Sequence, residues 1–397
     1  MMVDLMTIQF NKPLYTGQED AHILSVIHGG RLAGNGDYTR MCQEWFERRF
    51  GFTRALMTPS CTHALEMAAL LIDVEAGDEI IMPSFTFSST ANSFALRGAK
   101  IVFVDIRQDT MNIDENLIEE AITEKTKAIV PVHYAGVSCE MDDIMDVADK
   151  HGIYVIEDAA QGMMASYKSK ALGSIGHMGA YSFHETKNYT SGGEGGLLII
   201  NEESLIERAE ILREKGTNRS QFMKGEVDKY SWCDVGSSFV LSEIQSAYLW
   251  GQLGQVEKIN ESRRQLWSLY ANRLSKLEKE GMIFLPTVPQ ECSHNAHIFY
   301  IKTIDDSVAN FLMQHLSNAG ISAVSHYVPL HTASASRGIS RFVGCHDYTT
   351  SESSKLIRLP MWYGMNEVDV DHISDMIVQY FEKNNDLRPI TSMPVHE

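Results

Sequence analysis

In the stretch Ser182-Phe-His-Glu-Thr-Lys-Asn-Tyr-Thr-Ser-Gly-Gly-Glu-Gly-Gly196, a single lysine, Lys187, stands between an apolar run and four glycines. Glycine backbone lets a bulky group approach closely because it carries no side chain. A lysine amine that is partly removed from water has a lowered pKa and can form a Schiff base with an aldehyde. A lysine in a surface turn is the alternative, since most lysines are exposed. The segments upstream favour the reactive lysine.

A carboxylate follows a strand upstream of this lysine. The β-branched and aromatic run Ile153-Tyr-Val-Ile156 predicts a buried strand, and Asp158 comes two residues after it. Ligands of open α/β sheets lie just beyond the carboxyl ends of strands. A carboxylate there can hold the protonated ring nitrogen that pyridoxal phosphate (PLP) needs in order to accept electrons. The alternative for Asp158 is a helix N-cap. Together with Lys187, it favours PLP chemistry.

A third motif introduces a helix. The residues Thr58-Pro-Ser-Cys-Thr-His63 lead into the helical pattern 64–72, and Ser60 or Thr62 is the expected N-cap. The first N–H groups of a helix are free and its dipole is positive there, which suits a phosphate. Ordinary capping without a ligand is the alternative.

A fourth motif joins a strand to aromatic side chains. The segment Ile80-Ile-Met-Pro-Ser-Phe-Thr-Phe87 is typical of a strand that enters a turn. An aromatic ring in this turn, Phe85 or Phe87, can stack on a planar cofactor. Packing of both rings in the core is the alternative.

Composition excludes several classes of protein. The chain has 397 residues, 44% of them hydrophobic and 22% charged, which allows about two globular domains. A net charge of −18 disfavours nucleic acid and anionic membranes as partners, because both require clustered Lys and Arg. The six cysteines lack CxxC or metal-ligand spacing, so we expect reduced thiols and no metal site. No signal segment and no apolar run of 18 residues is visible, which predicts a cytoplasmic protein without membrane insertion.

Strand-like and helical segments alternate from about residue 55 to 200. This alternation predicts an α/β fold with a parallel-rich sheet and helices on both faces. We expect a large PLP-binding α/β domain over 1–250, a small C-terminal α+β domain over 251–385, and a polar tail over 386–397. One long helix is expected from about Ser242 to Leu277. The expected strands begin near Ala55, Glu79, Lys100, Ala128, Ile153, Ala180 and Gly196.

Taken together, the motifs resemble the DegT/DnrJ/EryC1/StrS family of sugar aminotransferases. This family is a branch of the fold type I, aspartate aminotransferase-like, PLP enzymes. The resemblance covers about residues 7–380 and implies a large domain with a mostly parallel seven-stranded sheet beside a smaller C-terminal α+β domain. The further markers are Gly34-Asn-Gly36, Pro131-Val-His-Tyr-Ala-Gly136, Glu157-Asp-Ala-Ala-Gln161 and His326-Tyr-Val-Pro-Leu-His331.

The resemblance implies roles for individual residues. Lys187 would carry PLP and move the proton between substrate and cofactor, and Asp158 would pair with the ring nitrogen. Gln161 would lie near the ring hydroxyl, and Phe87 would stack on the ring face. The phosphate would be held by Ser60, Cys61, Thr62 and Ser182, and the sugar-nucleotide side would comprise His184, His326, Tyr327 and His331. The alternative for the last three of these residues is a loop that packs against the large domain.

The resemblance also implies a substrate. Family members that aminate C4 of the sugar tend to have His at position 184 and Glu-Gly-Gly after the lysine, as in Glu194-Gly-Gly196. The longest similar runs belong to the branch that makes dTDP-4-amino-4,6-dideoxy-D-galactose for enterobacterial common antigen. O-antigen and other glycans are alternative destinations of the amino sugar. A homodimer with shared active sites would transfer the amino group of L-glutamate, through PLP and its amine form PMP, to C4 of dTDP-4-keto-6-deoxy-D-glucose.

Four alternatives differ from this reading in product or in chemistry. In the first alternative the product has the gluco configuration at C4, and in the second the sugar carries a different nucleotide. The reaction is a transamination in both. The family's PLP-dependent dehydratases have His in place of Lys187, and non-catalytic PLP-fold regulators often lose this lysine or Asp158. Both residues are present in this chain.

One segment departs from the family pattern. Many relatives carry a Gly-x-Asn-x-Arg segment that reaches the phosphate of the neighbouring subunit, and this chain has Gly236-Ser-Ser-Phe-Val240. Ser237 or Ser238 can donate a hydrogen bond, but the amide and the cation are missing.

Overall fold

The computed structural model describes residues 7–384, so the predicted tail 386–397 lies outside the described residues. Within 7–384 there are thirteen α-helices and fourteen strands, with short 3₁₀ turns between them. The helices are α1 Glu19–Gly29, α2 Asp37–Phe50, α3 Cys61–Leu71, α4 Ser88–Ala95, α5 Ile118–Ala121, α6 Met141–His151, α7 Ile206–Arg213, α8 Arg219–Met223, α9 Glu243–Leu253, α10 Val256–Lys279, α11 Asp306–Asn318, α12 Tyr348–Lys355 and α13 Glu367–Lys383. The strands are β1 Arg54–Thr58, β2 Glu79–Pro83, β3 Lys100–Val104, β4 Thr126–Ile129, β5 Tyr154–Asp158, β6 Ser166–Tyr167, β7 Lys170–Ala171, β8 Met178–Ser182, β9 Gly196–Ile200, β10 Ile283–Phe284, β11 Cys292–Ser293, β12 Phe299–Thr303, β13 Ser340–Val343 and β14 Leu356–Leu359.

The large sheet has eight strands in the order β1-β9-β8-β5-β4-β2-β3-β13. Only β9 runs antiparallel to its neighbours, so the prediction of a mostly parallel sheet is confirmed. All seven expected strands are present. The eighth, Ser340–Val343, comes from the C-terminal part of the chain and pairs with β3 at the sheet edge. Its four partly exposed residues carry too weak a pattern to predict this pairing.

Both faces of the sheet are buried, because successive strand residues point to opposite sides. In β9, Leu197 and Ile199 pack into one apolar cluster with α2, α6 and α9. Leu198 and Ile200 pack into a second cluster with α3 and α7 on the other side. The resulting order of layers is helices, sheet, helices.

A third apolar cluster lies at the C-terminal part of the chain. It joins α10, α11 and α13 to the antiparallel sheet β10-β12-β14. The predicted single helix over Ser242–Leu277 is wrong in one respect, because α9 ends at Leu253 and α10 begins at Val256. Gly254 stands at this break, where its low helix propensity disfavours continuation. The predicted domain boundary at residue 250 falls inside α9 and stays a prediction.

No helix within residues 7–384 combines the length and the apolar character that a bilayer crossing requires.

A buried carboxylate, Glu157, anchors the strand that carries Asp158. Glu157 is fully buried, and its two oxygens accept the backbone N–H groups of Gly173, Ile175 and Gly176, each at 2.7 Å. It also accepts a hydrogen bond from Nε2 of His133 at 2.9 Å. Four donors on one carboxylate hold the turn 173–176 against the end of β5.

Replacing Glu157 with alanine is expected to lower the free energy of unfolding by about 3–5 kcal/mol, because four buried donors lose their acceptor. Urea unfolding of the cofactor-free protein measures this change. The exposed Glu119, changed to alanine in the same way, serves as the control and should cost less than about 1 kcal/mol. Equal stability of the two variants would contradict the anchoring role.

Candidate active site

The parallel strands β1, β2, β5 and β8 end at the same edge of the sheet, as expected for a ligand site. A cavity of about 690 Å³ opens at this edge. Asp158 is the last residue of β5, Ser182 is the last residue of β8, and Ser60 follows β1. The cavity is lined by eleven of the twelve residues predicted to form the site: Ser60, Cys61, Thr62, Phe87, Asp158, Gln161, Ser182, His184, Lys187, His326 and Tyr327.

Lys187 lies in the loop between β8 and β9, with its backbone N–H bonded to the carbonyl of His184 at 2.9 Å. Burial lowers the pKa of its amine below the ordinary value. Cys61 and Asp158 oppose this shift, whereas the positive charge of Arg358 adds to it. The amine therefore loses its proton more easily than a solvent-exposed lysine does, which favours attack on an aldehyde.

The lowered pKa of Lys187 predicts the pH dependence of PLP uptake. Only the neutral amine condenses with an aldehyde, so uptake by the cofactor-free protein should slow as the pH falls through the pKa of Lys187. We expect the midpoint of this profile to lie below the ordinary lysine value of 10.5. Stopped-flow absorbance with PLP measures it, and N-acetyl-lysine is the free-amine control. A midpoint at or above that of the control would contradict the effect of burial.

Asp158 is oriented by a chain of hydroxyl groups that sequence reasoning missed. Its Oδ2 accepts the hydroxyl of Thr90 at 2.7 Å, and its Oδ1 accepts the N–H of Ala160 at 3.1 Å. Thr90 in turn lies 2.7 Å from the hydroxyl of Thr86. The three side chains are buried, so the carboxylate is held in one orientation at the cavity wall. In the sequence, the only indication of this contact is that Thr86 and Thr90 are four residues apart.

The N-terminus of α3 supplies the hydroxyl-rich part of the cavity. Ser60, one of the two residues expected to cap this helix, is the N-cap, and its Oγ accepts the N–H of His63 at 3.1 Å. The hydroxyl of Thr62 donates to Ser89 at 2.8 Å. A Cβ on Gly196 would lie 2.3 Å from the carbonyl carbon of Ser60, so only glycine lets β9 pack this close to the helix start. This corner presents hydroxyls and helix N–H groups that match a phosphate.

The opposite part of the cavity is aromatic. Nε2 of Gln161 donates to the hydroxyl of Tyr327 at 3.1 Å, and Tyr134 and Nδ1 of His326 lie 3.0 Å apart. Phe87 is 60% exposed and its ring centre is 6.3 Å from that of Tyr327. Phe85, the other ring considered for stacking, is buried in the core. Of the two rings, therefore, only Phe87 lines the cavity.

His331 is not brought to the cavity. Its Nδ1 lies 2.7 Å from the hydroxyl of Ser84, and its ring packs on Phe342 at a centre distance of 4.3 Å. Nε2 approaches the carboxylate of Asp347 at 3.5 Å. His331 is thus held by these contacts outside the group of residues that line the cavity. The substrate-side role of His331 stays a prediction.

Several further lining residues carried no assigned role in the sequence. Arg358 on β14 projects to the cavity, and His297, whose Nδ1 lies 2.9 Å from Oδ1 of Asn188, also lines it. Burial lowers the pKa of His297 and of His326, so both imidazoles are neutral. These residues come from elements far apart in sequence, and no local pattern marks them. Within 7–384, no group of three or more His, Cys, Asp or Glu side chains is placed to hold a metal ion.

Comparison with known proteins identifies the family. The model of the DegT/DnrJ/EryC1/StrS aminotransferase family matches residues 14–378. The chain belongs to this family. Its members are PLP-dependent, so the chain is a PLP-dependent sugar aminotransferase, and the predictions of an enzyme and of its cofactor are confirmed.

Individual relatives share most of their length with this aminotransferase. It is 33% identical over 319 residues to a pleiotropic regulatory protein of Geobacillus stearothermophilus, with 80% of this chain and 82% of the relative covered. The spore coat polysaccharide biosynthesis protein SpsC of Bacillus subtilis is 29% identical over 380 residues, with 93% and 96% covered. The crystal structure of DesV from S. venezuelae has a TM-score of 0.84 and 28% identity, with 95% and 99% covered.

The residues around the cavity fit PLP. An amine with a lowered pKa, a buried carboxylate and a hydroxyl-rich helix N-terminus line one space of about 690 Å³. These groups match an aldehyde, a cationic ring nitrogen and a phosphate respectively. Lys187, Asp158 and Ser60 are therefore the residues expected to hold the three ends of the cofactor.

Proposed function

We propose that this aminotransferase transfers the amino group of L-glutamate to C4 of dTDP-4-keto-6-deoxy-D-glucose. The products are dTDP-4-amino-4,6-dideoxy-D-galactose and 2-oxoglutarate. The amino sugar would enter a cell-surface glycan such as enterobacterial common antigen or O-antigen. The relationship to SpsC, whose name places it in spore coat polysaccharide biosynthesis, supports a polysaccharide precursor as the product.

The pairing of His184 with Glu194 carries the C4 assignment. The family resemblance associates these two residues with C4 amination, and they lie on either side of Lys187 in the sequence. Nε2 of His184 lies 3.6 Å from Oε1 of Glu194, and both side chains line the cavity. Both are partly exposed there, where an entering sugar can reach them. This arrangement supports a joint contact of His184 and Glu194 with the sugar.

The chemistry divides among three side chains. PLP supplies an electron sink when it is bound. The amine of Lys187 accepts the proton from the reacting carbon of the donor and returns a proton to C4 of the sugar. The carboxylate of Asp158 holds a proton at the ring nitrogen, and Thr90 keeps that carboxylate in place. The rings of His326 and Tyr327 line the cavity together with Lys187, and the buried Tyr134 packs against both rings.

A homodimer with shared sites is part of the proposal. A second cavity of about 580 Å³ includes Ser238, from the segment that reaches the neighbouring subunit in many relatives. Seven cations and two carboxylates, Glu210 and Glu214, line it in a chain whose net charge is −18, and this local excess of cations supports a meeting point with an anionic group. The seven cations are Arg31, Arg40, Arg54, Arg213, Lys215, Arg219 and Lys224. Light scattering of the purified protein would give twice the chain mass if the proposal is correct.

Product analysis tests the proposed reaction. Purified protein, PLP and L-glutamate are mixed with dTDP-4-keto-6-deoxy-D-glucose, and the amino sugar is identified by NMR coupling constants. A galacto-configured 4-amino sugar is the expected result. A gluco-configured product would keep the mechanism and replace the product. If PLP is bound at Lys187 and no amino sugar forms, the proposed acceptor is wrong.

A further inference from the structure

His297 lines the same cavity as Lys187, on a backbone that is fixed at both of its polar groups. Its N–H donates to Oδ1 of Asn295 at 3.0 Å, and its carbonyl accepts from Nη2 of the buried Arg263. Nδ2 of Asn295 donates to the carbonyls of Gln161 and Met163 at 2.7 and 2.8 Å. These bonds hold the backbone of His297 against the segment that follows β5.

The hydrogen bonds of the imidazole determine its tautomer. Nδ1 of His297 lies 2.9 Å from Oδ1 of Asn188. The amide of Asn188 has only one possible orientation, because its Nδ2 donates to the carbonyl of Asn295 at 3.1 Å and a carbonyl cannot donate. Burial and the positive charge of Lys187 lower the pKa of His297, so the ring is neutral. Nδ1 therefore carries the single ring hydrogen, and Nε2 is an acceptor.

The lone pair of Nε2 opens on the cavity. Within residues 7–384, Nε2 of His297 has no hydrogen-bond partner. The atom is not sealed inside the protein, although the residue as a whole is only 7% exposed. A largely buried acceptor without a donor is costly, because it has lost water without gaining a partner. The position therefore favours a ligand that brings a hydrogen.

The other side-chain acceptors at this part of the cavity are engaged. Oε1 of Gln161 accepts a backbone N–H at 2.7 Å. Both oxygens of Asp158 accept hydrogen bonds. Glu194 lies beside the imidazole of His184. Nε2 of His297 thus adds an uncharged and uncommitted acceptor to the cavity.

The chemistry of the substrates decides which group brings this hydrogen. Carboxylates and a nucleotide diphosphate offer only acceptors when they are ionised, and the amine of the donor is the group that passes to the cofactor. The pyranose of dTDP-4-keto-6-deoxy-D-glucose carries hydroxyls at C2 and C3, and the C3 hydroxyl is next to the reacting carbon. His297 is bonded to Asn188, the residue that follows Lys187, and the amine of Lys187 acts at C4 in the proposed reaction.

We propose that Nε2 of His297 accepts the hydrogen of the sugar hydroxyl next to the ketone, at C3. This inference rests on the proposed function and adds a residue that recognises the sugar beside its reacting carbon. A site built to bind a hydroxyl discriminates against an analogue that lacks it, because the buried acceptor then stays unpaired.

The experiment compares dTDP-4-keto-6-deoxy-D-glucose with its 3-deoxy analogue in single turnovers of the PMP-loaded protein. His297→Asn keeps a donor in the place of Nδ1 and removes Nε2. In this variant, the half-saturating concentration of the full sugar should rise roughly 3- to 10-fold, which corresponds to one neutral hydrogen bond. The 3-deoxy analogue should bind equally to the variant and to the unchanged protein. His297→Gln, whose amide can reach the place of Nε2, should restore part of the loss.

The matched control is His372→Asn, at an exposed position of α13. It should behave as the unchanged protein does with both sugars. Equal losses for the full sugar and the 3-deoxy analogue in His297→Asn would overturn the inference, because His297 would then act through the position of Asn188. A 2-deoxy analogue that alone escapes the loss would also overturn it and assign Nε2 to the C2 hydroxyl. No loss with any sugar would leave Nε2 to water.

A measurement without substrate separates the inference from the proposed function. Nitrogen-15 NMR of the histidine-labelled protein should show one imidazole with its hydrogen on Nδ1 and an unprotonated Nε2, and these signals should be absent from His297→Asn. A hydrogen on Nε2 would overturn the inference whatever the substrate is. If the unchanged protein reacts with glutamate and not with the dTDP sugar, only the proposed acceptor fails, and the same comparison is made with the corresponding UDP sugars.

Discussion

Replacing Lys187 with alanine is expected to abolish covalent attachment of PLP and to lower transamination by at least about 10⁴-fold. The change removes the amine that lines the cavity beside Asp158 and Cys61. No other lysine lines this cavity, so no second amine is placed to replace it within the described residues. Borohydride reduction followed by peptide mass spectrometry locates the attachment, and the coupled release of 2-oxoglutarate measures the activity.

The control for Lys187→Ala is the exposed Lys150→Ala, which removes only a surface ion pair with Glu119. This control should keep both PLP attachment and turnover. Addition of free PLP to Lys187→Ala distinguishes a lost reaction from a lost cofactor, because the hydroxyls of Ser60 and Thr62 remain. Transamination by Lys187→Ala at more than a hundredth of the normal rate would show that another group moves the proton.

The second large effect is expected from Asp158→Asn. The amide has nearly the same shape but carries no charge, so it cannot hold a proton at the ring nitrogen of the cofactor. We expect turnover to fall roughly 10²- to 10⁴-fold while PLP still attaches to Lys187. Thr90 can reorient its hydroxyl toward the amide, so the fold should be retained.

The measurements for Asp158→Asn are single-turnover rates of both half-reactions and a urea unfolding curve. The exposed Asp142→Asn, which faces Lys168 on the surface, is the matched control and should react normally. Both half-reactions of Asp158→Asn should slow, because the electron sink serves each of them. A loss of less than tenfold in both would remove Asp158 from the chemistry.

Local patterns in the sequence were sufficient for the central groups. Lys187 was predicted from its position before four glycines, Asp158 from its place after a strand, and Ser60 from its capping position. Each signal spans only a few neighbouring residues, and strand periods and helix caps are properties of local sequence. The strand pattern likewise predicted seven of the eight strands of the large sheet.

Positions that depend on distant contacts were not predictable in this way. Thr90 meets Asp158 across 68 residues, and Ser340–Val343 pairs with β3 although most of the chain lies between them. His331 contacts Ser84 across 247 residues of sequence and is not among the residues that line the cavity. Packing between separate elements sets these directions, and one residue's sequence neighbours do not encode them.

The sequence by itself therefore determined the class of fold, the family and the cofactor chemistry, because short motifs bring the required amine, carboxylate and helix N-terminus with them. Only the tertiary structure decided which additional groups face that chemistry. Arg358 illustrates the difference, since it lies on the edge of a second, smaller sheet and is an ordinary strand residue in sequence. In the folded chain Arg358 lines the same cavity as Lys187, and within residues 7–384 it forms no ion pair with a carboxylate.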